Sequence, residues 1–147
     1  MSLNNIYDIA GSSLSAQTLR LNTVASNMAN AETAAASAED VYKARRPVFS
    51  EVLNNARNTM GQSAGSQGKS AGSQVQVSQV LQSTAEPLMR YEPDNPLANE
   101  AGHVFYPDIN VVAEMADMMS ATRNYQTSIE VMSNARRMQE RLLSLGQ

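Results

Sequence analysis

Apolar residues recur at offsets of three and four through both ends of the chain, and the middle breaks that rhythm. Every seventh residue from Val111 gives Val111, Met118, Tyr125, Met132 and Gln139; every seventh from Met115 gives Met115, Thr122, Ile129, Arg136 and Leu143. The rows interleave as the a and d positions of a heptad helix, which predicts one helix over 108–147. Asp108, Glu114 and Asp117 come early and Arg136, Arg137 and Arg141 late, the order the helix dipole favours. Pro107 with Asp108 reads as the start and Gly146 as the stop. Residues 3–32 repeat the pattern, with Tyr7, Leu14, Leu21 and Met28 on one row and Leu3, Ala10, Gln17, Val24 and Ala31 on the other. A narrow seam needs a partner. The two terminal helices are therefore expected to pair, with Leu14, Leu21, Val24 and Met28 on one side. The opposing side is Val111, Met115, Met118, Tyr125, Ile129, Met132 and Leu143.

Between the helices the pattern changes to that of strands and turns. Residues 34–40 are small and polar and read as a loop. Residues 41–52 alternate imperfectly, and Pro47 restricts them to an edge strand or arm. Residues 54–74 are Gly, Ser, Gln and Ala with almost nothing to bury, the composition of a flexible insertion. Val75, Val77, Val80 and Leu81 alternate with Gln and Ser as a strand. Pro87, Pro93, Pro96 and Pro107 then forbid a regular helix, yet Leu88, Tyr91, Leu97, Val104, Phe105 and Tyr106 provide material to pack. The expectation is a mainly α chain with a small β part (α+β). A helix over 1–33 and another over 108–147 enclose an extended, β-rich region over 34–107.

Composition adds mostly exclusions. The net charge of -3, with 17% charged residues, argues against nucleic acid, whose binders carry a clustered basic face. Lys43, Arg45 and Arg46 are flanked by Glu39, Asp40 and Glu51 and read as a solvated strand face. There is no Cys, which removes disulfides and thiolate metal sites. The first Lys or Arg is Arg20 and no apolar run spans a bilayer, so neither an ordinary secretory signal nor direct membrane insertion is expected.

Candidate chemistry is sparse. His103, the one histidine, lacks metal-ligand spacing and reads as a packing or surface residue. Glu86, Glu92, Asp94, Glu100 and Asp108 could pair for acid–base work, but no nucleophile or pocket accompanies them. Gly68-Lys69-Ser70 lacks the strand and spacing of a phosphate loop. No enzyme activity and no cofactor is expected. Nine Met residues fit contact filler, or the groove of a non-enzymatic peptide- or chaperone-binding module. Further apolar residues lie off the seams: Ile6, Ile9, Leu19, Val112, Met119, Val131, Met138, Leu142 and Leu145. An exposed second stripe suits an assembly, so the helix pair is expected to finish folding against neighbouring subunits.

The most specific stretch is Ser26-Asn27-Met28-Ala29-Asn30-Ala31-Glu32-Thr33, preceded by Leu21-Asn22-Thr23-Val24-Ala25. Its asparagines suit a helix C-cap. It resembles the N-terminal motif of the bacterial flagellar axial family, the rod, hook and hook-associated subunits, with Met28 where Leu is usual. Tyr91-Glu92-Pro93-Asp94-Asn95-Pro96-Leu97-Ala98, then Gly102-His103-Val104 and Pro107 to Met115, are similar to the proximal rod protein C branch of that family. The likeness covers both ends and most of the middle; it fails near 54–74. It implies family-motif positions at Asn22, Ser26, Asn27, Ala29, Asn30, Thr33, Tyr91, Pro93, Asn95, Pro96, Gly102 and Pro107. It also implies a structural subunit of the basal-body rod, a hollow periplasmic drive shaft that transmits torque and conducts exported proteins. Such a subunit leaves through the flagellar type III export apparatus without a cleaved signal. Its partners would be copies of itself, other proximal rod proteins, the distal rod protein and the adaptor joining rod to membrane ring.

Overall fold

The computed structural model describes residues 3–53 and 73–144. Most of the Gly-rich segment expected to be a linker lies outside them; its last two residues, Ser73 and Gln74, open a strand. The order is α1 (Leu3–Asn30), β1 (Arg45–Leu53), β2 (Ser73–Gln82), β3 (Leu88–Tyr91), β4 (His103–Tyr106) and α2 (Val111–Ser144).

The helix α1 is built without charged first or last turns. Its hydroxyls turn inward on its own backbone: Ser12, Thr18 and Thr23 donate to the carbonyls of Ile9, Leu14 and Leu19. Asn30 closes it by donating from Nδ2 to the Ser26 carbonyl at 2.8 Å. The helix α2 starts later than Pro107 and Asp108 suggest. Pro107 is buried in the connector, and Asn110 is the N-cap, its Oδ1 accepting the Ala113 N–H at 3.1 Å. A short amide side chain satisfies an otherwise orphaned donor there, which proline cannot do.

β1 and β2 form an antiparallel two-stranded sheet lying on α1. With two strands both are edges, so Pro47 sits in β1 without breaking a ladder. A bulge at Ser78 lets its hydroxyl bond the Val48 carbonyl at 3.1 Å. The Val75 N–H donates to Ser12 Oγ at 3.2 Å, stapling β2 to the helix.

β3 and β4 form a second antiparallel pair, extended on the far side of β4 by a bridge to Ala35. This hairpin was not visible as strands in the sequence, because its four-residue strands are separated by prolines. It places Val104, fully buried, beneath the chain leaving α1. Gly102 makes the turn with φ 77°, where a Cβ would lie 2.8 Å from Tyr91 Cε2. Among the described helices none is long and apolar enough to cross a membrane.

Candidate functional site

The helices run antiparallel, and their contact is a row of small and polar residues. Ser13 Oγ and Ser128 Oγ lie 3.0 Å apart; Arg20 Nη2 donates to Asp117 Oδ1 at 2.7 Å; Asn27 Nδ2 donates to Glu114 Oε2 at 3.2 Å. Ser13, Arg20 and Asn27 are one heptad apart, and so are Glu114, Ala121, Ser128 and Ala135. Ala121 is fully buried and Ala135 nearly so. The register brings Ala121 opposite Arg20, whose side chain passes it to reach Asp117 one turn away.

The seam therefore differs from the row of largest side chains. On α2, Met118, Tyr125 and Met132 flank the contact, half-buried, and Val111 is half-buried at its start. The other expected row is displaced by one residue: Glu114, Ala121, Ser128 and Ala135 face α1, while Met115, Ile129 and Leu143 stay 49%, 45% and 68% exposed. On α1, Val24 is buried, but Leu14, Leu21 and Met28 stand half-buried beside the partner-facing residues. The reason is electrostatic. Asn27 is buried and Arg20 half-buried, so both need polar partners and narrow neighbours, and a Met or Ile opposite Asn27 would leave its groups unsatisfied. One polar atom stays unmatched in the seam: Gln17 Oε1 is buried without a hydrogen bond.

Asn27, 1% exposed, is the hub. Its Nδ2 donates to Glu114 and, at 2.9 Å, to the Arg45 carbonyl; its Oδ1 accepts the Arg45 N–H at 2.9 Å and the Tyr42 hydroxyl at 3.0 Å. The amide thus uses both donors and both acceptor sites. It ties α1, α2 and the first residue of β1 together, and Tyr42 also meets Ser26 Oγ at 3.1 Å. A C-cap role does not describe it: Asn30 closes the helix, while Asn27 pairs the extended arm. Of the remaining positions in that motif, Asn22, Ala29 and Thr33 are exposed.

The second motif closes the β3–β4 hairpin. Asn95 Oδ1 accepts the Leu97 N–H at 3.0 Å, and Asn99 Oδ1 accepts the N–H groups of Ala101 and His103. Tyr91, Pro93 and Pro96 are exposed on this loop, Asn95 and Gly102 half-buried, and Pro107 buried at its base. His103 packs edge-on to Tyr91, ring centroids 5.4 Å apart; no group of three or more His, Asp or Glu side chains that could hold a metal occurs among the described residues. Glu92, one of the five acids that the sequence offers for acid–base work, instead serves the hairpin. Its carboxylate accepts Asn95 Nδ2 at 2.9 Å and the Tyr106 hydroxyl at 3.0 Å, with the Arg90 guanidinium over the Tyr106 ring.

These bonds hold the Glu92 carboxyl below its usual 4.5, the Asn95 bond contributing most and the Tyr106 bond next. The same Glu92 bond pushes the Tyr106 phenol above its usual 10.0. A lowered acid stabilises the hairpin above its unfolded value and loses that as pH falls through the folded one. A raised phenol stabilises it below its unfolded value and loses that as pH rises through the folded one. Absorbance titration of a Glu92→Gln variant against the parent should show the Tyr106 phenol ionising at lower pH once that bond is gone.

Comparison with known proteins gives the arrangement its context. The family model described as flagellar basal body rod FlgEFG protein C-terminal matches residues 100–145, which hold β4 and α2. The flagellar basal-body rod protein FlgC of Salmonella typhimurium is 42% identical over 147 residues, covering 100% of both chains; the Escherichia coli O6:H1 protein of that name gives the same figures. The Bacillus subtilis FlgC is 29% identical over 150 residues, covering 95% of both. With whole-length similarity at this level, the chain belongs to the flagellar basal-body rod protein FlgC family.

Proposed function

We propose that this chain is a non-enzymatic structural subunit of the flagellar basal-body rod. The observation that carries the reading is the inverted seam. The pair buries alanine and a hydrogen-bonded amide, with Ser13 and Ser128 half-buried in the same row, and leaves Val112, Met115, Met119 and Ile129 outside. A monomer gains nothing from that distribution, whereas a subunit whose outer helix face meets neighbours does. Residues 1–33 and 108–147 then form the axial part that assembles, and 34–107 the outer part. Thr122 between Met115 and Ile129, and the uncharged hydroxyls and amides of α1, suit contacts or a channel lining past which unfolded cargo slides. The neighbours are copies of the chain and other rod proteins, including the distal rod protein and the adaptor to the membrane ring. The subunit reaches them by flagellar type III export, without a cleaved signal.

Ile129→Asp tests this. Its side chain is outside the helix contact, so the purified variant should melt within about 0.5 kcal/mol of the parent. Introduced into a strain lacking the chain, it should yield no rod and no swimming. Normal swimming would remove the exposed row from the assembly surface. A folded, non-associating parent that captures peptides would favour a binding module instead.

A further inference from the structure

We infer that β3 accepts an added strand: an extended, apolar segment of a different protein, with Lys or Arg at one end, paired along Met89 to Tyr91. This contact presupposes the rod-subunit reading and lies away from the helices. Two observations carry it. The first is the direction of the backbone groups. Phe105 exchanges hydrogen bonds with Ala35, its N–H donating at 3.0 Å and its carbonyl accepting at 2.9 Å. Alternate residues of a strand turn these groups to opposite sides, so Val104 and Tyr106 turn theirs toward β3. Their register partners Arg90 and Leu88 use theirs on β4. Met89 and Tyr91 therefore point N–H and carbonyl outward, where no described strand pairs with them. The edge is short, but its flanking prolines, Pro87 and Pro93, lie outside it, so neither outward N–H is lost. Both side chains are also out, Met89 at 61% and Tyr91 at 69% exposure. The edge is fixed before a partner arrives. Glu92 holds the Asn95 and Tyr106 side chains, and its N–H donates to the Gly102 carbonyl at 2.9 Å. A preformed edge loses little entropy when a strand is added.

The second observation is charge. Glu86, Asp94, Glu100 and Asp108 are exposed, and the single cation between Glu86 and Asp108 is Arg90, whose guanidinium stands over the Tyr106 ring at 4.7 Å. Lys43 shares a slot with Pro87 and Asp108 at the base of the hairpin. At its tip Asp94 and Glu100 form no ion pair among the described residues. An incoming strand gains by carrying a cation at that end. No described strand of this chain fits. Arg45 in β1 already gives its outward N–H and carbonyl to Asn27, β2 has no charged residue, and β3 has only Arg90. The occupant is a different protein, on the rod reading another basal-body component.

Proline tests the edge. Met89→Pro deletes an outward N–H and leaves the ladder to β4 whole, so the purified full chain should melt within about 3 °C of the parent. Arg90→Pro, which cuts that ladder, should melt lower. In a strain lacking the chain, Met89→Pro should yield about tenfold fewer rods, while Met89→Ala, which keeps the N–H, stays within about twofold; tenfold corresponds to ~1.4 kcal/mol, the scale of a backbone hydrogen bond. Should Met89→Pro melt much lower, deuterium exchange of the parent decides: the Tyr91 amide should exchange at least about tenfold more slowly in isolated basal bodies than in the purified chain. With p-benzoylphenylalanine encoded at position 89, photolysis of basal bodies should join the chain to a Lys- or Arg-bearing peptide of another protein. Equal rod yields from Met89→Pro and Met89→Ala overturn the added strand. So does unslowed exchange at Tyr91, or a cross-link only to this chain. Each of these leaves the subunit role standing, since that falls only if Ile129→Asp swims.

Discussion

Asn27→Ala should lower the unfolding free energy by about 4 kcal/mol. Orphaning one buried polar group costs ~1–3 kcal/mol, and this change strips partners from the Tyr42 hydroxyl, the Arg45 N–H and carbonyl, and Glu114. Water entering the site recovers part of the sum. In a chain of this size the loss is about 12 °C in melting temperature. Asn27→Asp should be worse, because it removes both donors and sets a second carboxylate against Glu114. Asn22→Ala, in the same motif but exposed, should stay within about 0.5 kcal/mol. Thermal and urea unfolding of the three variants decides the matter. Equal losses at positions 22 and 27 would mean the motif acts as a helix end and not through the hub.

Ala121→Leu should cost about 3 kcal/mol and abolish rod incorporation. Ala121 has no exposed surface, and the added methyls must part the helices where Arg20 crosses to Asp117. Overpacking of this kind costs ~1–3 kcal/mol before the pair is disturbed. The converse change discriminates the two possible rows. Were Met115 in the seam, Met115→Ala would cost ~2–5 kcal/mol; at 49% exposure it should cost under about 1 kcal/mol. Urea midpoints for both variants, with basal-body isolation for Ala121→Leu, supply the comparison. A Met115→Ala variant as unstable as Ala121→Leu would return the large side chains to the interior.

Both helices were legible because their heptad spacing is a local property of the chain, independent of what lies opposite. β1 and β2 were legible from alternation around Pro47 and Val77. The β3–β4 hairpin was not, since its pairing depends on a left-handed Gly102 and on Asn95 and Asn99 side chains replacing backbone partners. Glu92 was dismissed with the solvated acids because nothing in its neighbours announces Tyr106, fourteen residues on.

The residues alone determined the two terminal helices and their pairing, the strands β1 and β2 and the family likeness, all of which follow from spacing and short motifs. Only the tertiary structure decided which row of each helix turns inward. Periodicity identifies a face to within one position and ranks candidates by size and apolarity. The packed molecule instead ranks them by what Arg20 and Asn27 demand from the helix opposite. A one-residue rotation satisfies those groups with Asp117, Glu114 and the small Ala121, and it leaves the larger apolar side chains outside.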